Sequence, residues 1–283
     1  MKEPGDGVIL SDELFGKFVS LVYQRTGISY ENNKKYYVQK RIEKQLERLQ
    51  VDSFNEYYLL LKFSESTSEF DRFINDLTIN ETYFFRDFPQ LRNFAEDVLR
   101  AVVKEKEKKG DYKIKIWSAA CSTGEEPYTL AIILQEMLDE PDKWDLHIVA
   151  SDINSDVLHR AKIGQYDYRS VRDVPSVYLE KYFTLKNEKY SILHSLRRSI
   201  NFRKINLMDS EAVSDITGCD FIFCRNVLIY FDDRSREKVL GDFYNCLNPG
   251  GFLFLGHSES VGRISSAYKS QRIGDSIVYS THK

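Results

Sequence analysis

Downstream of Gly110, short apolar runs of strand length alternate with helix-length amphipathic segments, and this alternation restricts the fold more than any other feature. Residues 113–119, 146–150, 219–224 and 251–255 read as strands, and residues 127–138, 155–162 and 234–247 read as helices. Mostly apolar strands joined by helical crossovers imply an α/β fold with a parallel, doubly wound sheet. Residues 276–281 resemble a closing edge strand. Between Pro175 and Asn206 the pattern breaks into short β-like stretches, 190–193 and 200–205, expected to form an inserted antiparallel β-subdomain over about 176–206.

The first 80 residues read differently. Ser11-Asp12 caps a predicted helix with the apolar stripe Leu14, Phe15, Phe18, Leu21 and Val22, which ends at Gly27. A second helix over 34–49 has Tyr37, Val38, Ile42, Leu46 and Leu49 inside, and shorter ones follow near 54–61 and 68–77. The expected division is a small all-helical N-terminal domain, 1–80, and an α/β domain, 81–283. The second helix exposes Lys34, Lys35, Lys40, Arg41, Lys44 and Arg48 against only Glu43 and Glu47. Over the whole chain, 40 Lys and Arg nearly balance 43 Asp and Glu. A broadly basic nucleic-acid binder is therefore excluded, and any basic surface is local.

The longest uninterrupted apolar runs are too short for a membrane span, which needs about 20 residues. The start, Met1-Lys2-Glu3-Pro4-Gly5-Asp6, lacks an apolar leader, so a cytoplasmic location is expected. Cys121, Cys219, Cys224 and Cys246 form no C-x-x-C pair and the five His stand singly. Buried reduced thiols are expected, and no metal site.

In open α/β sheets ligands bind at the carboxyl ends of strands. The first strand-to-helix turn reads Ser118-Ala119-Ala120-Cys121-Ser122-Thr123-Gly124-Glu125-Glu126-Pro127. One glycine is too few for a dinucleotide fingerprint, and the Gly-Lys-Ser/Thr of a Walker A loop is missing. Two carboxylates at the helix N-terminus disfavour a phosphate and suit a cationic ligand. The second strand runs into Asp152, placed to accept hydrogen bonds from both ribose hydroxyls. Either feature alone is also what a helix cap would look like. Together they favour an adenosyl ligand without phosphates, a description that S-adenosyl-L-methionine fits.

Four segments then add specificity: Asn80-Glu81-Thr82-Tyr83-Phe84-Phe85-Arg86, Trp117-Ser118-Ala119-Ala120-Cys121-Ser122-Thr123-Gly124-Glu125-Glu126-Pro127-Tyr128, Phe223-Cys224-Arg225-Asn226-Val227-Leu228-Ile229-Tyr230-Phe231 and Gly256-His257-Ser258-Glu259. In this order they closely resemble the chemotaxis receptor methyltransferases of the CheR type, over about residues 11–279. The resemblance implies a Rossmann-like class I methyltransferase sheet with a helical N-terminal domain and an inserted β-subdomain. It implies protein-glutamate O-methyltransferase activity on chemoreceptors, with S-adenosyl-L-methionine as methyl donor and S-adenosyl-L-homocysteine as product. Position by position, it implies cofactor contacts at Asn80, Thr82, Arg86, Glu126, Asp152, Asn206, Leu207, Arg225 and Asn226. Arg86 and Tyr230 would serve at the reacting centre, orienting rather than activating.

The basic face of the second helix, with Arg41, Lys44 and Arg48, would then bind the acidic methylation helices of the receptors. Tyr83, Phe84 and Phe85 are expected in an interdomain core, and His257 in packing or hydrogen bonding near the pocket. The short 183–206 stretch lacks the glycine-containing loop with which some members dock on a receptor C-terminal peptide, so a tether-independent enzyme is expected; a monomer is expected as well. The alternative is a non-catalytic S-adenosylmethionine-binding adaptor on the same fold. Methylation of nucleic acid is disfavoured because Cys224-Arg225-Asn226-Val227 stands where an Asp/Asn-Pro-Pro-Tyr motif would be.

Overall fold

The computed structural model describes residues 10–64, 66–262 and 264–282. The chain forms two compact units, one of Met1–Ile79 with Tyr230–Asp232 and the other of Asn80–Ile229 with Asp233–Lys283.

The first unit is built from helices α1 (Asp12–Thr26), α2 (Lys35–Leu49), α3 (Phe54–Phe63) and α4 (Ser68–Leu77). The Ser11 side chain caps α1 by accepting the Leu14 N–H, and Gly27 ends it at φ 72°. Phe15, Phe18, Leu21 and Val22 are buried, and Phe18 meets Tyr57, Tyr58 and Phe73 ring to ring. From α2, Val38, Ile42 and Gln45 are buried, while Tyr37, Leu46 and Leu49, expected inside, are half-buried. Tyr230–Asp232 belongs here: the Ser29 N–H donates to the Tyr230 carbonyl at 2.9 Å, and the Tyr23 hydroxyl to Asp232 at 2.7 Å.

In the second unit, α5 (Phe88–Asn93), a π turn (Phe94–Leu99) and α6 (Arg100–Lys109) lead to β1 (Lys113–Ala119) and α7 (Glu125–Met137). Then come β2 (Asp145–Asp152), α8 (Ser155–Ile163), β3 (Gln165–Tyr166), α9 (Tyr168–Val171), α10 (Ser176–Tyr182), β4 (Phe183–Lys186), β5 (Lys189–Ile192), α11 (His194–Arg198) and β6 (Ile200–Lys204). The chain ends with α12 (Ser210–Ser214), β7 (Cys219–Cys224), α13 (Asp233–Cys246), β8 (Leu247–Leu255), β9 (Lys269–Ile273) and β10 (Ser276–Ser280). The main sheet has the order β6-β2-β1-β7-β8-β10-β9. Its first five strands are parallel and β10 runs antiparallel to both of its neighbours, β8 and β9, which makes it a Rossmann-like mixed sheet.

The chain winds outward from β1 through β2 to β6, then restarts at β7 beside β1. The switch point therefore lies between the carboxyl ends of β1 and β7, where such sheets bind ligands. Below it Phe94 is fully buried, its ring 5.0–5.4 Å from those of Phe221, Phe223 and Phe254. These edge-to-face contacts lock the π turn onto β7 and β8, directly under the rim.

Two strand assignments need correction. Ile200–Lys204, read as part of the insert, pairs in parallel with β2 and forms one edge of the main sheet. A short strand does not encode which sheet it joins, because its partner, Ile148–Asp152, lies some fifty residues earlier. Ser276–Ser280 is interior, with Lys269–Ile273, which the pattern did not reveal, as the true edge. That strand is exposed along most of its length, so it lacks the apolar alternation that would announce it.

The separate antiparallel sheet has the order β3-β5-β4. It thus begins at Gln165 and ends at Ile192, instead of spanning 176–206. Its hairpin turns tightly through Asn187 and Glu188, both at positive φ. Phe84 is buried against Tyr166 and Phe183 of this sheet, at 4.8 and 5.0 Å between centroids, and Phe85 stacks on Tyr178. Both rings thus pack against elements of the second unit. Cys121, Cys219, Cys224 and Cys246 are buried free thiols. No helix among the described residues is long and apolar enough to cross a membrane.

Candidate active site at the sheet switch point

After β1 the chain makes a sharp turn, with Ala120 at φ 61°, Ser122 at φ 49° and Gly124 at φ 95°. Three left-handed residues in five cost free energy and are held by specific contacts. The Cys121 N–H donates to the Ser151 carbonyl at 2.8 Å, the Tyr166 hydroxyl to the Thr123 carbonyl at 2.8 Å, and the Ser122 hydroxyl to the Asn80 carbonyl at 3.0 Å. Gly124 is pinned by its surroundings: a Cβ there would lie 2.9 Å from the Ala161 Cβ and 3.2 Å from Tyr128 and the Tyr166 hydroxyl.

Glu125 and Glu126 do not cap the helix: the N-cap is Gly124, with no side-chain cap bond. Glu125 is buried and accepts from the Thr123 hydroxyl at 2.6 Å and the Ser170 hydroxyl at 3.1 Å. Burial pushes its carboxyl above the ordinary range. Glu126 turns to the switch point, accepting from the Ser118 hydroxyl at 2.7 Å and from Arg225 Nη1 at 3.3 Å. Burial raises its pKa, and the Arg225 charge opposes that rise.

Asp152 does not cap α8 either, since the Asn154 side chain does so by accepting the Asp156 and Val157 N–H groups. The two Asp152 oxygens instead take the Ser122 N–H and the Asn154 N–H, each at 2.9 Å. The Ile153 N–H is a further backbone donor to this carboxylate. Burial raises the Asp152 pKa, with these backbone donors working against it. The Ile205 N–H donates to the Asp152 carbonyl at 3.0 Å, which ties the end of β6, and with it Asn206 and Leu207, to the end of β2. The Asn206 side chain accepts the Met208 N–H at 3.0 Å, and Leu207 is buried.

Across the switch point Arg225 follows β7 with its side chain only 4% exposed. It spans Glu126 at 3.3 Å, Asp87 at 3.4 Å and the Arg86 carbonyl at 2.6 Å, while its Nε has no partner among the described residues. Asp87 also holds the exposed His257, Nε2 to Oδ1 at 2.6 Å, so His257 is engaged in hydrogen bonding as expected. Arg86 donates to the Glu81 carbonyl at 2.9 Å and lies 5.7 Å from the centre of the Tyr83 ring; Thr82, half-buried, sits between. Asn226 is left-handed at φ 61°. The structure thus brings Glu126, Arg225 and the Arg86 backbone together, and Asp152 with the β1 turn.

The buried Asp152 carboxylate, the half-buried Glu126 carboxylate, the buried Arg225 guanidinium with its unpartnered Nε, and the amides of Asn206 and Asn226 make a mixed-sign donor set. It fits a ligand with a ribose diol and a zwitterionic amino-acid end, as S-adenosyl-L-methionine has. It does not fit a run of phosphates. Among the described residues no group of three or more His, Cys, Asp or Glu stands close enough to hold a metal ion.

Tyr230 stands with the helical unit, as do Arg41, Lys44 and Arg48. There α4 supplies the acids that the sequence of α2 alone does not show. Lys44 pairs with Asp76 at 2.6 Å, Arg48 with Glu69, and Arg41 lies over the Tyr37 ring at 3.9 Å. Lys35 is likewise taken by Asp12 at 2.5 Å. Much of the positive charge on α2 is therefore matched within its own unit. One residue that sequence reading left without a role is Glu259, whose carboxylate holds the backbone after β7. The signal was a glycine closing a strand with a carboxylate three residues on.

Comparison with known proteins agrees with this geometry. Residues 80–275 match the family described as CheR methyltransferase, SAM binding domain, and residues 13–78 match CheR methyltransferase, all-alpha domain. The chain is 42% identical over 278 residues to chemotaxis protein methyltransferase 2 of Vibrio cholerae, covering 98% of this chain and 96% of that one. It is 36% identical over 261 residues to the chemotaxis protein methyltransferase of Salmonella typhimurium, covering 90% and 86%. It is 34% identical over 268 residues to that of Escherichia coli, covering 92% and 88%.

Proposed function

The chain belongs to the CheR methyltransferase family, and from that premise we propose that it methylates glutamate side chains of bacterial chemoreceptors, with S-adenosyl-L-methionine as donor. The observation that carries the reading is the switch-point cluster, with Asp152 and the Glu126–Arg225 pair facing the carboxyl ends of β2, β1 and β7. Asp152 would take the ribose hydroxyls, Glu126, Arg225 and Asn226 the amino-acid end, and Asn206 and Leu207 the adenine. Asn80, Thr82 and Arg86 would close the site from the other side.

Bound S-adenosyl-L-methionine supplies a methyl group activated on a cationic sulfonium. The acceptor carboxylate is already ionised near neutral pH, so the protein needs no general base. Its task is to orient the carboxylate and exclude water, which the turn and the buried pair serve. Arg86 and Tyr230 are assigned to orientation. A tight ion pair to the acceptor would stabilise the reactant carboxylate more than the transition state, so orientation through weak contacts is favoured.

Receptor recognition is assigned to the exposed side of α2, chiefly Arg41, because Lys44 and Arg48 already have carboxylate partners. The β4–β5 hairpin, turning through two residues without glycine, supports tether independence, and the enzyme is assigned as a monomer of the cytoplasm. Methyl transfer to receptor cytoplasmic fragments with and without their C-terminal tails tests this. Equal kcat/KM on both is expected, and a large preference for the tailed fragment would refute tether independence.

A further inference from the structure

The carboxylate of Glu259 lies where four backbone N–H groups converge. Its Oε2 accepts the Asn226 N–H at 2.8 Å and the Gly256 N–H at 2.7 Å; its Oε1 accepts the Val227 N–H at 2.8 Å and the Ile229 N–H at 3.3 Å. Three donors come from the segment after β7 and one from the end of β8, so one side chain ties the rims of two adjacent strands together. The left-handed Asn226 turns successive N–H groups to one side, forming the kind of concavity that binds anions. Here the chain fills it with its own carboxylate.

Gly256 makes that possible. A Cβ at this position would stand 2.8 Å from Glu259 Oε2 and 2.9 Å from the Asn226 nitrogen, inside the space the carboxylate occupies. The Glu259 N–H donates back to the Gly256 carbonyl at 3.0 Å, which folds the glutamate over the strand end. Gly256 and Glu259 are therefore one device.

The clamped segment starts at Asn226, next to Arg225, and runs on in the chain to Tyr230. The place of the Arg225 guanidinium between Glu126, Asp87 and the Arg86 carbonyl depends on where its backbone is fixed. Charge-assisted bonds to backbone N–H groups are stronger than neutral ones, so four on one carboxylate make a stiff anchor. We propose that Glu259 is a positioning residue for methyl transfer: it fixes the post-β7 turn so that Arg225 and Asn226 meet the donor's amino-acid end. This rests on the methyltransferase reading above.

The test uses the full chain and S-adenosyl-L-homocysteine as the probe. Glu259→Gln keeps the shape but puts an NH2 where one acceptor oxygen was, against N–H groups. Glu259→Asp keeps the charge but is one methylene too short to reach all four donors. Both are expected to unfold cooperatively yet to bind the probe at least tenfold more weakly by calorimetry. In a mutant cycle, Glu259→Gln combined with Arg225→Lys should lose clearly less affinity than the two single losses together, because both act through one group. A loss of folding alone would not produce that coupling. Wild-type affinity in either folded variant, or additive losses in the cycle, would overturn the inference. Should Glu259→Gln not fold, the Glu259→Asp affinity decides. Wild-type protein that binds no probe would sink the methyltransferase reading, and this inference with it.

Discussion

Replacing Arg225 by Met removes the guanidinium that faces Glu126 at 3.3 Å and Asp87 at 3.4 Å, while keeping most of the apolar volume. The Glu126 side chain is only 15% exposed; without Arg225 it keeps the neutral Ser118 hydroxyl as a hydrogen-bond partner, and the Arg86 charge still favours its anion. Breaking a buried pair by removing one member costs about 3–5 kcal/mol, a large part of the 5–15 kcal/mol that holds a typical domain. The loss has a pH signature whose sign follows from the pKa direction. Burial already raises the Glu126 carboxyl, and the Arg225 charge is the main influence opposing it. Without the guanidinium the folded-state pKa rises further. A carboxyl raised on folding contributes stability below its unfolded pKa, near 4.5, and loses it as pH rises through the folded value. Arg225→Met should therefore be most destabilised at pH 8, by about 3–5 kcal/mol, and clearly less at pH 5. Urea denaturation of wild type and variant at both pH values measures this. The double variant with Glu126→Gln removes the stranded Glu126 carboxylate and leaves Asp87 to His257, so it should recover part of the pH 8 loss. An equal loss at both pH values, or under about 1 kcal/mol at pH 8, would refute the idea that Arg225 neutralises Glu126.

Two other outcomes follow from the same rim. Gly124→Ala meets Ala161 at 2.9 Å with φ at 95°, and backbone strain and overpacking should together cost about 2–4 kcal/mol, read as a lowered Tm with weakened S-adenosyl-L-homocysteine binding. Since burial raises the Asp152 pKa, its anion is lost on acidification at a higher pH than for an ordinary Asp, and probe affinity should fall there. Asp152→Asn should bind weakly at all pH values with a flatter profile, measured by calorimetry from pH 8 to 5.

Four of the five parallel strands were legible because each holds a local apolar run bounded by turns, and the helical unit because its caps and stripes lie within single helices. What could not be read are facts about distant partners. Whether Asp152 or Asn154 caps α8 depends on a two-residue difference in backbone, and the structure gives the cap to Asn154, leaving Asp152 for the β1 turn. The charge on α2 looked free because Glu69 and Asp76 belong to α4, some twenty to thirty residues on. Ile200–Lys204 looked like its sequence neighbours, although its hydrogen bonds go to β2. The role of Glu259 is not local to its segment, since its four donors come from two strand ends that only the fold brings together.

The central claim is tested most directly by incubating the protein with S-adenosyl-L-methionine labelled in its methyl group and a chemoreceptor cytoplasmic fragment, then treating the product with base. Glutamate methyl esters release labelled methanol, which is the predicted result. A fragment that takes up no label, or whose label stays bound after base, would contradict the account.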